Sequence, residues 1–176
     1  MIARVVSVVV LLASLAACKP SAEPVAAVTA PKLAKPVPAP PPAATRIIAD
    51  YMAAWNAHDP ERAGSFFADD GEYLDVTMGA PQHGRRAATD NVIAVFMRAV
   101  PDCKWEMRGD PVATADGIAF EWTFSGTNMG GWAFGVAATN QKLNLHGVSF
   151  IRIRNGKIVY EGNYYDGATM NKQMGW

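Results

Sequence analysis

"KLNLHGVSFIRIRNGKIVYEGNYYD" (Lys142–Asp166) is the stretch on which the reading of the whole chain turns. Two runs rich in Ile, Val, Phe and Tyr flank Asn155-Gly156, a pair that tolerates the positive φ angles of a tight hairpin turn. A two-residue loop sets Arg154 opposite Lys157 and thereby assigns every later pair. One face then carries Leu145, Ser149, Ile151, Ile153, Ile158, Tyr160, Tyr164 and Asp166; the other carries His146, Val148, Phe150, Arg152, Val159, Glu161, Asn163 and Tyr165. The first face is the more apolar and is expected to line the interior, with Asp166 at one end of a hydrophobic wall. A single extra residue in either strand would reverse the assignment.

The same texture extends upstream. "CKWEM" and "GIAFEWTFSG" are further strands by their aromatic and β-branched content. Between them and the hairpin, "GTNMGGWAFG" (Gly126–Gly135) has four glycines but no Lys-Ser/Thr pair, so it is not a phosphate loop. It reads as a lid over a cavity mouth or as an ordinary long connection.

Ahead of Pro101 the periodicity is helical. Ile47, Ile48, Tyr51, Met52 and Trp55 form one stripe, which Thr45 could cap. Asp59-Pro60 starts a second, shorter helix that carries Phe66 and Phe67 before "ADDGEYLD" turns into a strand. A third helix is expected from about Arg85 to Ala99, presenting Val92, Ile93, Phe96 and Met97. Three N-terminal helices packed on a curved antiparallel sheet make an α+β fold with a cavity between the layers.

The first 43 residues are of another kind. Arg4, an apolar run from Val5 to Ala17 and small residues leading to Cys18 have signal-peptide organisation, with residues 1–17 as the peptide. Thirteen apolar residues rise about 20 Å as a helix, short of the roughly 30 Å hydrocarbon core. Lys19 to Ala43 holds eight of the twelve prolines and reads as a semi-rigid tether, residues 18–43, leaving a folded domain from 44 to 176.

That domain carries 12 Lys and Arg against 15 Asp and Glu, a net charge near −3, which argues against nucleic acid as a partner. Cys103 is its one cysteine and is expected to be a buried small hydrophobe. The three histidines show no metal-ligand spacing, so neither a metal nor another cofactor is expected.

Leu15-Ala16-Ala17-Cys18 resembles a bacterial lipobox, which implies cleavage before Cys18, lipidation of its thiol and anchoring to a membrane, with Lys19 implying the outer membrane facing the periplasm. "DYMAAWNAHDPERAGSFFADDGEYLD" resembles the opening of the nuclear transport factor 2-like superfamily, ketosteroid isomerases included. The second half, with Pro101-Asp102, Gly126-Thr127-Asn128, the Gly156-Lys157-Ile158 hairpin and an acid followed by Gln173-Met174-Gly175, is similar to the SnoaL-like polyketide (ester) cyclases. The resemblance implies a cone-shaped α+β barrel and proton removal next to a carbonyl, with dimerisation across the sheet.

It also implies roles. Asp166 matches the cyclases' final acid, and Tyr51 and Asp75 have the isomerases' spacing of a helix-one tyrosine and a strand-closing aspartate. Ser149 falls where the isomerases place a further acid, and Asn128 where the cyclases place a histidine. Asp166, Asp75 and Tyr51 are thus the candidate catalytic residues. Trp55, Trp122, Phe124, Asn128 and Tyr164 are the candidate binding residues for a small hydrophobic or carbonyl-containing molecule. Each has a plainer alternative: Asp166 is also a favoured helix cap, and Tyr51 and Trp55 lie on a stripe that serves equally as core. Non-catalytic ligand binding or scaffolding, and epoxide-hydrolase-like water activation needing an inward arginine, remain the competing functions.

Overall fold

A computed structural model describes residues 42–113, 116–132 and 135–176. The expected signal peptide, Cys18 and nearly all of the tether lie outside the described residues.

Helix α1 (Pro42–Asn56) starts two residues before the expected domain boundary, so Thr45 lies inside its first turns rather than at its cap. Its stripe is fully buried at Ile48 and Tyr51 and nearly so at Met52 and Trp55. Helix α2 (Pro60–Gly64) is capped by Asp59, which accepts from the Arg62 amide at 2.9 Å. It ends earlier than its apolar content suggests: Phe67 already begins strand β1 (Phe67–Asp75). A short strand β2 (Gln82–His83) follows. The third helical region fills its expected span in three pieces: α3 (Arg85–Ala88), a π-helical turn (Thr89–Ile93) and α4 (Ala94–Ala99).

Strands β3 (Lys104–Ala113), β4 (Gly117–Thr127), β5 (Lys142–Arg154) and β6 (Lys157–Tyr165) complete one six-stranded sheet in the order β2-β1-β6-β5-β4-β3. The sheet is curved, as expected, but mixed: β1 runs parallel to β6, while every other pair is antiparallel. A short C-terminal helix α5 (Gly167–Met174) closes the chain.

The hairpin turn is as read, with Asn155 and Gly156 both at positive φ (53° and 74°) and Arg154 opposite Lys157. Two pairs later the register slips. Ile153 pairs with Ile158, but Arg152 pairs with Tyr160, leaving Val159 as a bulge. From there to the strand's end the faces are exchanged. Glu161 and Asn163 are buried on the inner side, while Tyr164 is 41% exposed.

The core is one cluster between the helices and the inner sheet face, built around Tyr51, Trp55, Phe67, Phe96, Trp105, Trp122 and Phe124. Aromatic rings meet edge to face, as at Tyr51–Trp105 (5.6 Å) and Phe96–Phe124 (5.8 Å), the arrangement their quadrupoles favour. Among the described residues no helix is long and apolar enough to cross a membrane.

Candidate active site

The inner face of the sheet and helices α1 and α4 enclose a small cavity lined by Trp55, Phe96, Trp105, Trp122, Phe124 and Leu145, with Tyr73, Asp75, Asn163 and Tyr165 as its polar members. Its volume is about 30 Å³, room for about two waters. Phe96 also borders an open groove of about 210 Å³, lined among others by Thr77, Met78, Met170 and Trp176.

Each wall has a local cause. Trp122 lies over Gly147, its cross-strand partner, where an added Cβ would fall 2.3 Å from the indole Cζ2. Glycine at that point lets the ring approach the strand closely and meet Tyr165 at an angle of 62°, 5.7 Å away between centroids. Trp55 and Trp105 pack edge to face at 5.5 Å.

Asp75 ends β1 and is 3% exposed. Its Oδ1 accepts from the Thr77 amide (3.0 Å), the Thr77 hydroxyl (2.7 Å) and the Met78 amide (3.2 Å). The Tyr165 hydroxyl sits 3.1 Å from both carboxylate oxygens and also touches the Thr77 hydroxyl. Oδ2 therefore has the Tyr165 contact alone and keeps acceptor capacity free. Burial raises the Asp75 pKa, and the hydrogen bonds from Thr77 and Tyr165 oppose that rise. The result is a carboxylate made more basic by its surroundings and kept in position by its donors.

A second polar layer adjoins the first. Asn163 donates from Nδ2 to the Tyr73 hydroxyl at 2.8 Å and accepts from the Ser149 hydroxyl at 2.5 Å. Glu161, two residues before Asn163, is fully buried, and neither of its carboxyl oxygens reaches a hydrogen-bond partner. Burial lifts its pKa to about 8, with the Asp75 charge adding to the rise and Tyr51 and Asn163 tempering it. The Tyr51 hydroxyl interacts with Trp55, Glu161 and Tyr73, although none of these contacts attains full hydrogen-bond geometry.

The sequence-derived candidates are therefore separated. Asp75, Trp55, Trp122 and Phe124 come together around the cavity. Tyr51 does not line it but is buried one layer behind, packed against Phe66, Phe67 and the lining residue Trp105. Asp166 is not on the inner wall. Past the Val159 bulge it leaves the sheet and caps α5, accepting from the Ala168 amide (2.9 Å) and the Thr169 hydroxyl (2.5 Å), bonds that lower its pKa. Tyr164 is also displaced to the outer face, where its hydroxyl meets that of Tyr160 at 3.2 Å. Asn128 is fully buried but holds the connection after β4, donating to the Ala99 and Gly130 carbonyls and accepting from Thr139. Arg152 points outward, in an ion pair with Asp116 at 2.8 Å, so the inward arginine of the hydrolase reading is not found there.

Sequence reasoning missed Tyr73, Glu161, Asn163 and Tyr165. The last three were assigned to the outer face by the unbulged register. Tyr73, two residues before Asp75 on a strand, carried a usable signal, because alternation puts the two on one face. Among the described residues no group of three His, Cys, Asp or Glu side chains is placed to hold a metal.

A model of the SnoaL-like domain matches residues 48–161, most of the folded part. The chain belongs to the SnoaL-like domain family. Solved structures agree on the fold. A protein of ketosteroid isomerase-like fold from Catenulispora acidiphila, in complex with trimethylamine, is 22% identical over 73% of this chain and 92% of its own, with a TM-score of 0.62. A structure assigned as a SnoaL-like polyketide cyclase from Jannaschia sp. CCS1 is 11% identical over 76% of this chain and 94% of its own, with a TM-score of 0.64. TerC, co-crystallised with polyporic acid, is 13% identical over 76% and 99%, with a TM-score of 0.61. No curated protein matches the sequence significantly. The SnoaL-like fold is thus shared with these proteins at identities that speak to architecture alone.

Proposed function

We propose that this SnoaL-like domain removes a proton from carbon next to a carbonyl on a small, largely apolar molecule, without a cofactor, and that Asp75 is the base. The carrying observation is the Asp75 carboxylate: buried in an aromatic cavity, made more basic by that burial, and left with a free acceptor position on Oδ2. The C–H electron pair passes into a carbon–carbon double bond and the carbonyl π pair passes to oxygen, which needs a donor. Tyr73 and Tyr165 are the hydroxyls on the cavity wall, and the Tyr165 proton is engaged with Asp75, so Tyr73 takes that role.

The cavity's size restricts the reacting part of the substrate to a few heavy atoms, with any remainder in the groove beyond Phe96. Deuterium uptake at the α-carbon of a panel of small ketones and 1,3-diketones, followed by NMR in D₂O, tests the reading directly. Asp75→Asn should slow uptake by about 10² or more while the circular dichroism spectrum stays unchanged. Equal uptake by wild type and Asp75→Asn would refute it.

A second reading is ligand binding without conversion. Among the described residues Asp75 has no ion-pair partner, and seven aromatic side chains line its cavity, a setting suited to a small organic cation; trimethylamine in the Catenulispora protein supports this. Tetramethylammonium would then bind better than a neutral molecule of the same shape, and the preference would vanish in Asp75→Asn.

The lipobox supports an envelope location, with the domain held at the outer membrane by lipid on Cys18. Fractionation of cells carrying Cys18→Ser decides this part: the protein must leave the membrane fraction for the anchor to stand.

A further inference from the structure

Two stretches of the chain have no part in the proton removal just described: the glycine-rich connection after β4 and the Gln173-Met174-Gly175 run that ends α5. Both build the open groove beyond Phe96. Gln173 pins α5 to β5, accepting from the Asn144 amide at 2.8 Å and donating to the Asn144 carbonyl at 2.9 Å. Gly175 then turns the chain at φ 76°, and the Trp176 amide donates back to the Asn171 carbonyl at 2.9 Å, so that Met170, Asn171 and Trp176 all reach the groove. The connection after β4 is held by the Trp132 amide on the Val136 carbonyl (2.9 Å) and by Arg98 on the Gly131 carbonyl (3.3 Å), which sets Trp132 and Val136 in the groove wall.

Phe96 belongs to both compartments. Its ring meets Phe124 of the cavity edge to face at 5.8 Å and Trp132 of the groove edge to face at 5.0 Å. The groups around the base span the same boundary. Thr77, which lines the groove, donates from its hydroxyl to Asp75, and the Met170 sulfur of the groove lies 3.9 Å from the Tyr165 hydroxyl. One layer of side chains therefore separates about 30 Å³ of cavity from about 210 Å³ of groove. The described lining of the groove carries no charge. It presents Trp132 and Trp176, 6.0 Å apart between centroids, together with Met78 and Met170, whose thioethers favour aromatic contacts. Trp176 is 50% exposed and Val136 40%, so this aromatic surface faces solvent.

We infer that the groove is the second half of the substrate site and takes one uncharged aromatic ring, joined by a thin, flexible linker past Phe96 to the carbonyl head beside Asp75. This rests on Asp75 acting on that head. Two compartments that meet at one ring select shape as well as polarity. The cavity is too small to hold a carbonyl group and an aromatic ring together. A ligand whose carbonyl is part of a rigid fused-ring system cannot bend around Phe96 to use both. The substrate class narrows to open-chain ketones that end in a single aromatic ring, and Phe96 is the residue that sets this choice.

Calorimetric titration of the full chain with butanone, benzylacetone, the cyclohexyl analogue of benzylacetone and β-tetralone tests this without requiring turnover. Benzylacetone should bind about tenfold or more tightly than each of the other three. It should also shift the indole N–H signals of Trp132 and Trp176 in ¹H–¹⁵N spectra. Trp176→Ala and Val136→Asp, both at exposed positions, should each abolish the preference over butanone, and Phe96→Leu should narrow the gap to β-tetralone. Equal affinity of wild type for benzylacetone and any of the other three, no binding at all, a preference that survives both exposed variants, or a β-tetralone gap untouched in Phe96→Leu would each overturn the inference. Failure of Asp75 as base reads differently: the preference for benzylacetone would stand, while wild type and Asp75→Asn exchange deuterium alike.

Discussion

Glu161 and Asp166 stand five residues apart, and their surroundings reverse the roles that their positions suggest. A buried carboxyl whose folded pKa is about 8, against an ordinary glutamate value of 4.5, binds its proton more tightly in the folded state than in the unfolded one. Its contribution is fully present below the unfolded value and is lost as pH rises toward 8, by roughly 1 kcal/mol per pH unit. Asp75, raised as well, adds a loss of the same sign at lower pH. Urea unfolding at pH 5, 6, 7 and 8 should therefore show wild type weakening steadily, and Glu161→Gln holding a flatter profile and exceeding wild type at pH 8. A wild-type profile that rises over this range would contradict the assignment. Little of this was legible residue by residue. Asp75 could be found because it closes a strand after a patterned helix, whereas a glutamate between Tyr160 and Gly162 looks like ordinary surface polarity until its face is known.

At the scale of elements, Val159 matters more than any side chain in the cavity. The hairpin is apolar on both faces, with Phe150 and Val148 on one and Ile151 and Leu145 on the other. Hydrophobic alternation therefore favoured the unbulged register only weakly, and it favoured the wrong one for the second half of β6. The turn, every strand but the two-residue β2, the helical stripes and the α5 cap could be read, because each depends on neighbours within a few residues. The parallel β1–β6 pairing depends on contacts across the whole chain and was missed, while the bulge was legible only as a possibility that would reverse the faces. Gly147 shows how tightly an element positions the site. Gly147→Val would drive a side chain into the Trp122 ring and should cost about 1–3 kcal/mol, with a shift in tryptophan emission. Unchanged emission and stability would mean that Trp122 is not seated on that strand.

At the scale of the molecule, one core joins helices and sheet, so its opening should be all or none. Cys103 reports on it. Its thiol is 1% exposed and burial raises its pKa to about 11, so it is both inaccessible and un-ionised at pH 8. Alkylation of the Cys18→Ser chain at pH 8 should proceed only at the rate of global unfolding and should follow the urea transition. Rapid modification under native conditions would reveal local opening near β3 instead.

The parallel strand pair also bears on synthesis. Asp75 and Tyr165 are 90 residues apart and meet only because β1 lies beside β6, the last strand made. Pairings of such long sequence separation form late, after the entropy of closing a large loop has been overcome. A chain still emerging from the ribosome or from a translocation pore can shape its helices and its β3–β4 hairpin, but it has no Tyr165 to hold the base and no Glu161 beneath it. Whatever chemistry this domain performs is thus withheld until β6 has emerged and paired with β1.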